Sequence, residues 1–140
     1  MNIRNEIIIF IIILIIVLIF DGIMLSILNS KWNDAVTNIQ GQNLTIRNKI
    51  FPVIAYILIV LGIRLFVYPY FVLGDIKTGC VMGFIWGIIT YGIFDFTNLS
   101  LFKNYPTSLA IIDTLWGGVL AVLTGLSTLY IANTLKITTF

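Results

Sequence analysis

From Ile7 to Phe20 every residue is apolar, and the run resumes beyond Asp21 and Gly22 through Ile23, Met24, Leu25, Ser26, Ile27 and Leu28. A stretch of about 18 or more apolar residues is long enough to cross the hydrocarbon core of a bilayer. In lipid, only a helix or a closed barrel satisfies its own backbone hydrogen bonds. The first segment shows no alternation, so it reads as a membrane helix. A secretory leader is the competing reading, but Arg4 and Glu6 nearly cancel and no Ala-x-Ala cleavage pattern follows. The segment is therefore expected to be retained.

Three more apolar segments follow: Ile50 to Val72, Thr78 to about Phe102, and Ser108 to Ala132. Each is long enough to span roughly 30 Å at about 1.5 Å per residue. The chain is 59% hydrophobic and 10% charged, against about 25% charged in soluble domains. The fold class expected is all-α: an integral membrane four-helix bundle forming a single membrane domain over residues 1–140, with spans at about 7–28, 50–72, 78–102 and 108–132.

The connection Asn29 to Lys49 is polar, but Trp32, Val36 and Ile39 recur in it at helical spacing. A short interfacial helix ending at Gly41 is expected there. Leu73 to Lys77, with Gly74 and Asp75, reads as a tight turn, and Pro106 in the third connection suits the first turn of the last helix. Four spans put both termini on one side. Lys31, Arg47, Lys49 and Lys103 lie opposite Arg4, Lys77 and Lys136, so the positive-inside rule favours termini outside by one charge.

Several function classes drop out. A net charge of +2 without a basic run does not imply a nucleic-acid partner. The chain has no histidine, the commonest metal ligand and general base. Cys80 reads as a small apolar residue. No cofactor motif and no metal-ligand spacing is present, and the pattern argues against an enzyme.

What remains is a set of polar residues inside apolar helices. An aspartate at the bilayer centre costs about 2.5–3.5 kcal/mol on insertion scales, so an intramembrane acid needs a partner, a proton or a task. Asp21 lies late in the first span, Asp95 with Thr97 and Asn98 late in the third, and Asp113 early in the fourth. Counting residues places the three acids in one half of the membrane. Arg64, in the second span, is a possible charge partner if its side chain leans toward its own N-terminus. Snorkelling toward Tyr68 and Tyr70 is the alternative.

Small residues recur every four positions beside these acids. The third span carries Gly79, Gly83, Gly87, Tyr91 and Asp95, and the fourth Asp113, Gly117, Ala121 and Gly125. Such stripes let helix backbones approach closely. The third and fourth helices are expected to form the tightest pair, with Asp95 and Asp113 at similar depth. Tyr91 and Trp116 would wall a polar cup containing Asp21, Asp95, Thr97, Asn98 and Asp113. That cup suits a proton, a cation or the head of a small amphiphile. The alternative is a structural or accessory subunit, with a homo-oligomer or another membrane protein as partner.

The stretch Tyr91-Gly92-Ile93-Phe94-Asp95-Phe96-Thr97-Asn98, followed by Asn104-Tyr105-Pro106 and Asp113-Thr114-Leu115-Trp116-Gly117, resembles the bacterial and viral membrane family known as domain of unknown function 2177. That family's pattern reads Tyr-Gly-x-Tyr-Asp-Leu-Thr-Asn, a short connection with Trp-Pro, then Asp-x-x-Trp-Gly. The resemblance implies a four-helix membrane protein with Asp21, Asp95, Asn98, Asp113 and Trp116 as signature residues, and it points to an accessory role beside lipid-modifying enzymes. Two positions depart from the pattern. Phe94 replaces a tyrosine, and Asp21-Gly22-Ile23-Met24 replaces an Asp-x-x-Trp. No family role is carried onto Arg64.

Overall fold

A computed structural model describes residues 3–137. Its helices are α1 (Ile3–Ile27), α2 (Asn29–Gln40), α3 (Ile50–Gly62), a wide π turn (Ile63–Val67), α4 (Tyr68–Val72), α5 (Ile76–Leu101) and α6 (Thr107–Thr134). Helix α3, the π turn and α4 together form the second of four spans; the others are α1, α5 and α6.

Helix α6 is the hub. Its most apolar window is 56% buried, against 22–28% for the other three spans, because it packs on α1, α4, the π turn and most extensively on α5. The closeness of α5 and α6 comes from absent side chains. A Cβ on Gly87 would overlap the carbonyl of Gly117, and one on Gly117 would strike the Tyr91 ring. Backbone contact of this kind lets dispersion and weak Cα–H···O bonds hold helices that gain nothing from hydrophobic burial in lipid.

The rest of the glycine stripe receives the second span. Phe71 is 1% exposed and wedges between Gly79 of α5 and Gly125 of α6, while Val67 lies over Gly83. Proline accounts for the route. Pro69 has no N–H to give to Leu65 four residues earlier, so the ladder loosens. The Tyr68 amide bonds instead to the Ile63 carbonyl, five residues back, which is the π spacing. That turn swings α4 into the groove between α5 and α6.

Helix α3 stays apart from that groove. It packs on α1 and meets α5 at Gly62, where the Trp86 ring lies over the glycine. Above this point α3 and α5 diverge. Helix α2 lies across the same end of the bundle, where Leu28 and Ala35 pack with Leu109 of α6, flanked by Met24, Trp32 and Ile112. Gly41 ends α2 in the left-handed conformation, its φ of 75° closing a bond from its amide to the Thr37 carbonyl. At the opposite end, Gly74 (φ 82°) turns the chain, and the Asp75 carboxylate accepts from the Thr78 amide at 3.1 Å to cap α5. The Thr78 hydrogen bonds hold the Asp75 carboxyl below the usual carboxylate range.

Candidate functional site

Asp21 lies six residues before the end of α1 at Ile27, Asp95 six before the end of α5 at Leu101, and Asp113 six after the start of α6 at Thr107. All three ends lie on one side of the bundle, so the acids share a depth about 9 Å below the helix ends. Tyr56 obeys the same count, six residues after the start of α3 at Ile50. Equal depth does not give them equal surroundings.

Asp21 is met by three donors. The Tyr56 hydroxyl donates at 2.7 Å, the Trp116 indole N–H at 3.1 Å and the Tyr91 hydroxyl at 3.3 Å. One residue from each of the other spans therefore converges on a carboxylate of the first. Hydrogen bonds inside membrane proteins average about 0.6 kcal/mol and reach about 1.7. Three of them offset most of the roughly 2.5–3.5 kcal/mol that an acid costs at mid-membrane.

Asp95 is sealed, with no exposed surface. It accepts from the Tyr105 hydroxyl at 2.9 Å and from the Thr114 hydroxyl at 3.0 Å. Burial, with the bond to Asp95 adding to it, pushes the Tyr105 hydroxyl above the ordinary tyrosine range. Tyr105 in turn meets the Trp32 ring, with centroids 6.3 Å apart and planes at 60°. Asn104 donates to the Asn38 carbonyl at 3.3 Å. Asp95 thus anchors the α5–α6 connection, and that connection holds α2.

Asp113 differs from both. It is 7% exposed, and among the described residues no side chain donates a hydrogen bond to it. Tyrosines aside, the ionisable side chains at its own depth are Asp95 and Asp21, both acids. Asp113 and Asp21 line a cavity of about 760 Å³ between α1, α2, α3, α5 and α6. The walls are largely apolar, formed by residues such as Leu58 and Ile59 of α3 and Trp86 and Phe94 of α5. Trp32 of α2 also lines the cavity, and its indole N–H is buried without an acceptor. The volume falls within the roughly 300–1,000 Å³ usual for small-molecule sites.

The polar cup expected from sequence is therefore two sites. Asp95 does not line the cavity, and its partner on α6 is Thr114 rather than Asp113. Successive helical residues point about 100° apart. Thr114 faces α5 while Asp113 turns toward the cavity. Thr97 is exposed and contributes only its carbonyl, to Ser100. Asn98 is half-buried beside the Tyr105 hydroxyl.

Of the two courses left open for Arg64, it takes the one toward Tyr68 rather than the carboxylate layer, and finds there an acid that neither course named. Its guanidinium pairs with Glu6, donating from Nε at 3.0 Å and through a shorter bond from an Nη, and it lies 5.7 Å over the Tyr68 ring. It has no bond to the carboxylates at the far end. The reason is distance along the axis: Arg64 is eight residues below Tyr56, about 12 Å, and Glu6 lies in its own half of the membrane.

Tyr56, Tyr105 and Thr114 were not singled out by sequence reasoning. Tyr56 carried a signal, a lone hydroxyl at the depth of the acids. Tyr105 sat in the connection quoted for the resemblance. Thr114 was visible only as the neighbour of Asp113.

Residues 6–130 match the model of a family described as a predicted membrane protein, DUF2177. The chain belongs to that family. No curated protein and no solved structure matches it. As a member of DUF2177, the chain is a membrane protein with four apolar helices and buried aspartates.

Proposed function

We propose that this protein binds a small amphiphile within the membrane, taking its polar head between Asp21 and Asp113 and its apolar part along α3 and α5. The observation that carries this reading is Asp113, a residue only 7% exposed whose carboxylate reaches the surface of an otherwise apolar cavity and, among the described residues, meets no side-chain donor. A purely structural polar layer would pair each buried acid, as Asp21 and Asp95 are paired. An unpaired buried acid is costly unless something supplies the missing partner. Among the described residues no group of three or more acids or cysteines is placed to hold a metal ion, and apolar walls suit a tail better than a hydrated ion.

The test is binding of single-chain amphiphiles with bromine on the tail to the protein in phosphatidylcholine nanodiscs. Trp32 and Trp86 line the cavity, so an occupant should quench tryptophan fluorescence beyond the level set by partitioning into lipid. Asp113→Asn should remove that excess for at least one probe while the protein stays folded. Equal quenching of wild type and Asp113→Asn by every probe would refute the proposal.

A further inference from the structure

We infer that the amphiphile is an amine of the bilayer, which enters sideways between α3 and α5 and sets its ammonium between Asp21 and Asp113. The inference rests on the amphiphile reading above and concerns which head is selected and by what route.

Charge selects the head. Both cavity carboxylates lie in one acidic layer with Asp95, each six residues from a helix end on the same side of the bundle. The basic residue of the second span is engaged elsewhere, by Glu6. A cation entering this low-dielectric layer would be attracted strongly, and its N–H groups would meet the acceptors that Asp113 leaves open. A phosphate or carboxylate head would be repelled by the same charges. That excludes a phospholipid head, whose amine comes with a phosphate. A neutral hydroxyl could donate a bond but would leave the charge uncompensated.

Shape selects the route. Leu58 of α3 and Phe94 of α5 line the cavity yet remain 61% and 53% exposed, as Pro52 and Ala55 also remain exposed. The cavity therefore opens between these two helices, along the flank that faces lipid, and also at the helix ends, where Leu25, Asn29 and Leu44 are exposed. Its floor is Trp86 over Gly62, well below the acids. A molecule lying in it has its head about 9 Å below the helix ends and its tail pointing to mid-membrane. That is the orientation it already has in the leaflet on that side.

Three dodecyl probes, tail-brominated and identical except for an amine, alcohol or carboxylic acid head, separate the possibilities in phosphatidylcholine nanodiscs. The amine should quench at a mole fraction about tenfold lower than the alcohol, and the acid should not exceed lipid partitioning. Asp113→Asn should weaken the amine about tenfold and leave the alcohol nearly unchanged. Ala55→Phe, which narrows the opening without touching a carboxylate, should weaken amine and alcohol alike. If the alcohol matches the amine but both still depend on Asp113, the head assignment fails while the amphiphile reading stands. If no probe distinguishes wild type from Asp113→Asn, both fail. If Ala55→Phe binds like wild type, the lateral route is wrong.

Discussion

Trp116 donates its indole N–H to Asp21 across 3.1 Å, joining the first and last spans at the depth where their acids lie. With Tyr56 and Tyr91 on the same carboxylate, it ties four spans to one point. Trp116→Phe keeps the ring and deletes the donor, and should cost about 0.6–1.7 kcal/mol of unfolding free energy in bicelles. Tyr56→Phe should cost a similar amount. Because the two donors share an acceptor, the double variant should lose a different amount from the sum of the singles.

Asp113 should behave in the opposite way. Removing a buried acid that has no donor relieves a cost, so Asp113→Asn or Asp113→Leu should unfold no more readily than wild type, and by up to about 2 kcal/mol less readily. Binding of the amine probe should weaken about tenfold at the same time. Marked destabilisation of both variants would mean that Asp113 has a structural partner.

Tyr105→Phe removes a donor from sealed Asp95 and loosens the support of Trp32. The expected result is a loss of about 1–2 kcal/mol, together with a red shift in Trp32 emission in a background where Trp86 and Trp116 are phenylalanine. A shift without destabilisation would separate the anchoring of α2 from the stability of the bundle.

Gly87→Ala puts a methyl group where the Gly117 carbonyl lies. Backbone cannot yield as a flexible side chain can, so the cost should reach the upper part of the roughly 1–3 kcal/mol range for overpacking. Gly22→Ala, with nothing within 4 Å of the added Cβ, should stabilise its helix by about 0.5–1 kcal/mol. Comparing their unfolding separates close packing from helix propensity.

The Asp75 cap should show in the acid response of α5. Its carboxyl is held low by the bonds from Thr78, so the folded state favours the ionised form. The cap's contribution is present above the usual carboxylate range and is lost as pH falls through the lowered folded value. Amide exchange at Thr78 should accelerate in that acid window once corrected for intrinsic rates. Asp75→Asn, which caps without titrating, should abolish the pH dependence.

The four spans are legible in the sequence because apolar length alone reports them. Depth is also legible, since a helix rises by a constant amount per residue and places Asp21, Asp95, Asp113 and Tyr56 in one layer. Partners are not. Depth alone does not distinguish Asp113 from Thr114, which adjoin in sequence but face different helices. It also does not show that Arg64 would find Glu6, an acid that directly precedes the first apolar run. The glycine stripe on α5 announced close approach without saying to what: Gly87 meets α6, while Gly79 and Gly83 receive Phe71 and Val67 of the second span.

By itself, the sequence determined that this chain has four segments apolar and long enough to cross a bilayer, and that Asp21, Asp95 and Asp113 lie together near one end of them. Backbone bonds must close within each helix in lipid, which makes length and position along the axis readable. Rotation about the axis is different. In α1, Ile9, Ile13 and Val17 are buried while Ile7, Ile11 and Ile15 face outward, and nothing in their chemistry distinguishes the two stripes. Lipid is as apolar as the core, so hydropathy carries no angular signal. Only the tertiary structure decided which acid was sealed, which was shared among donors and which was left open to a cavity.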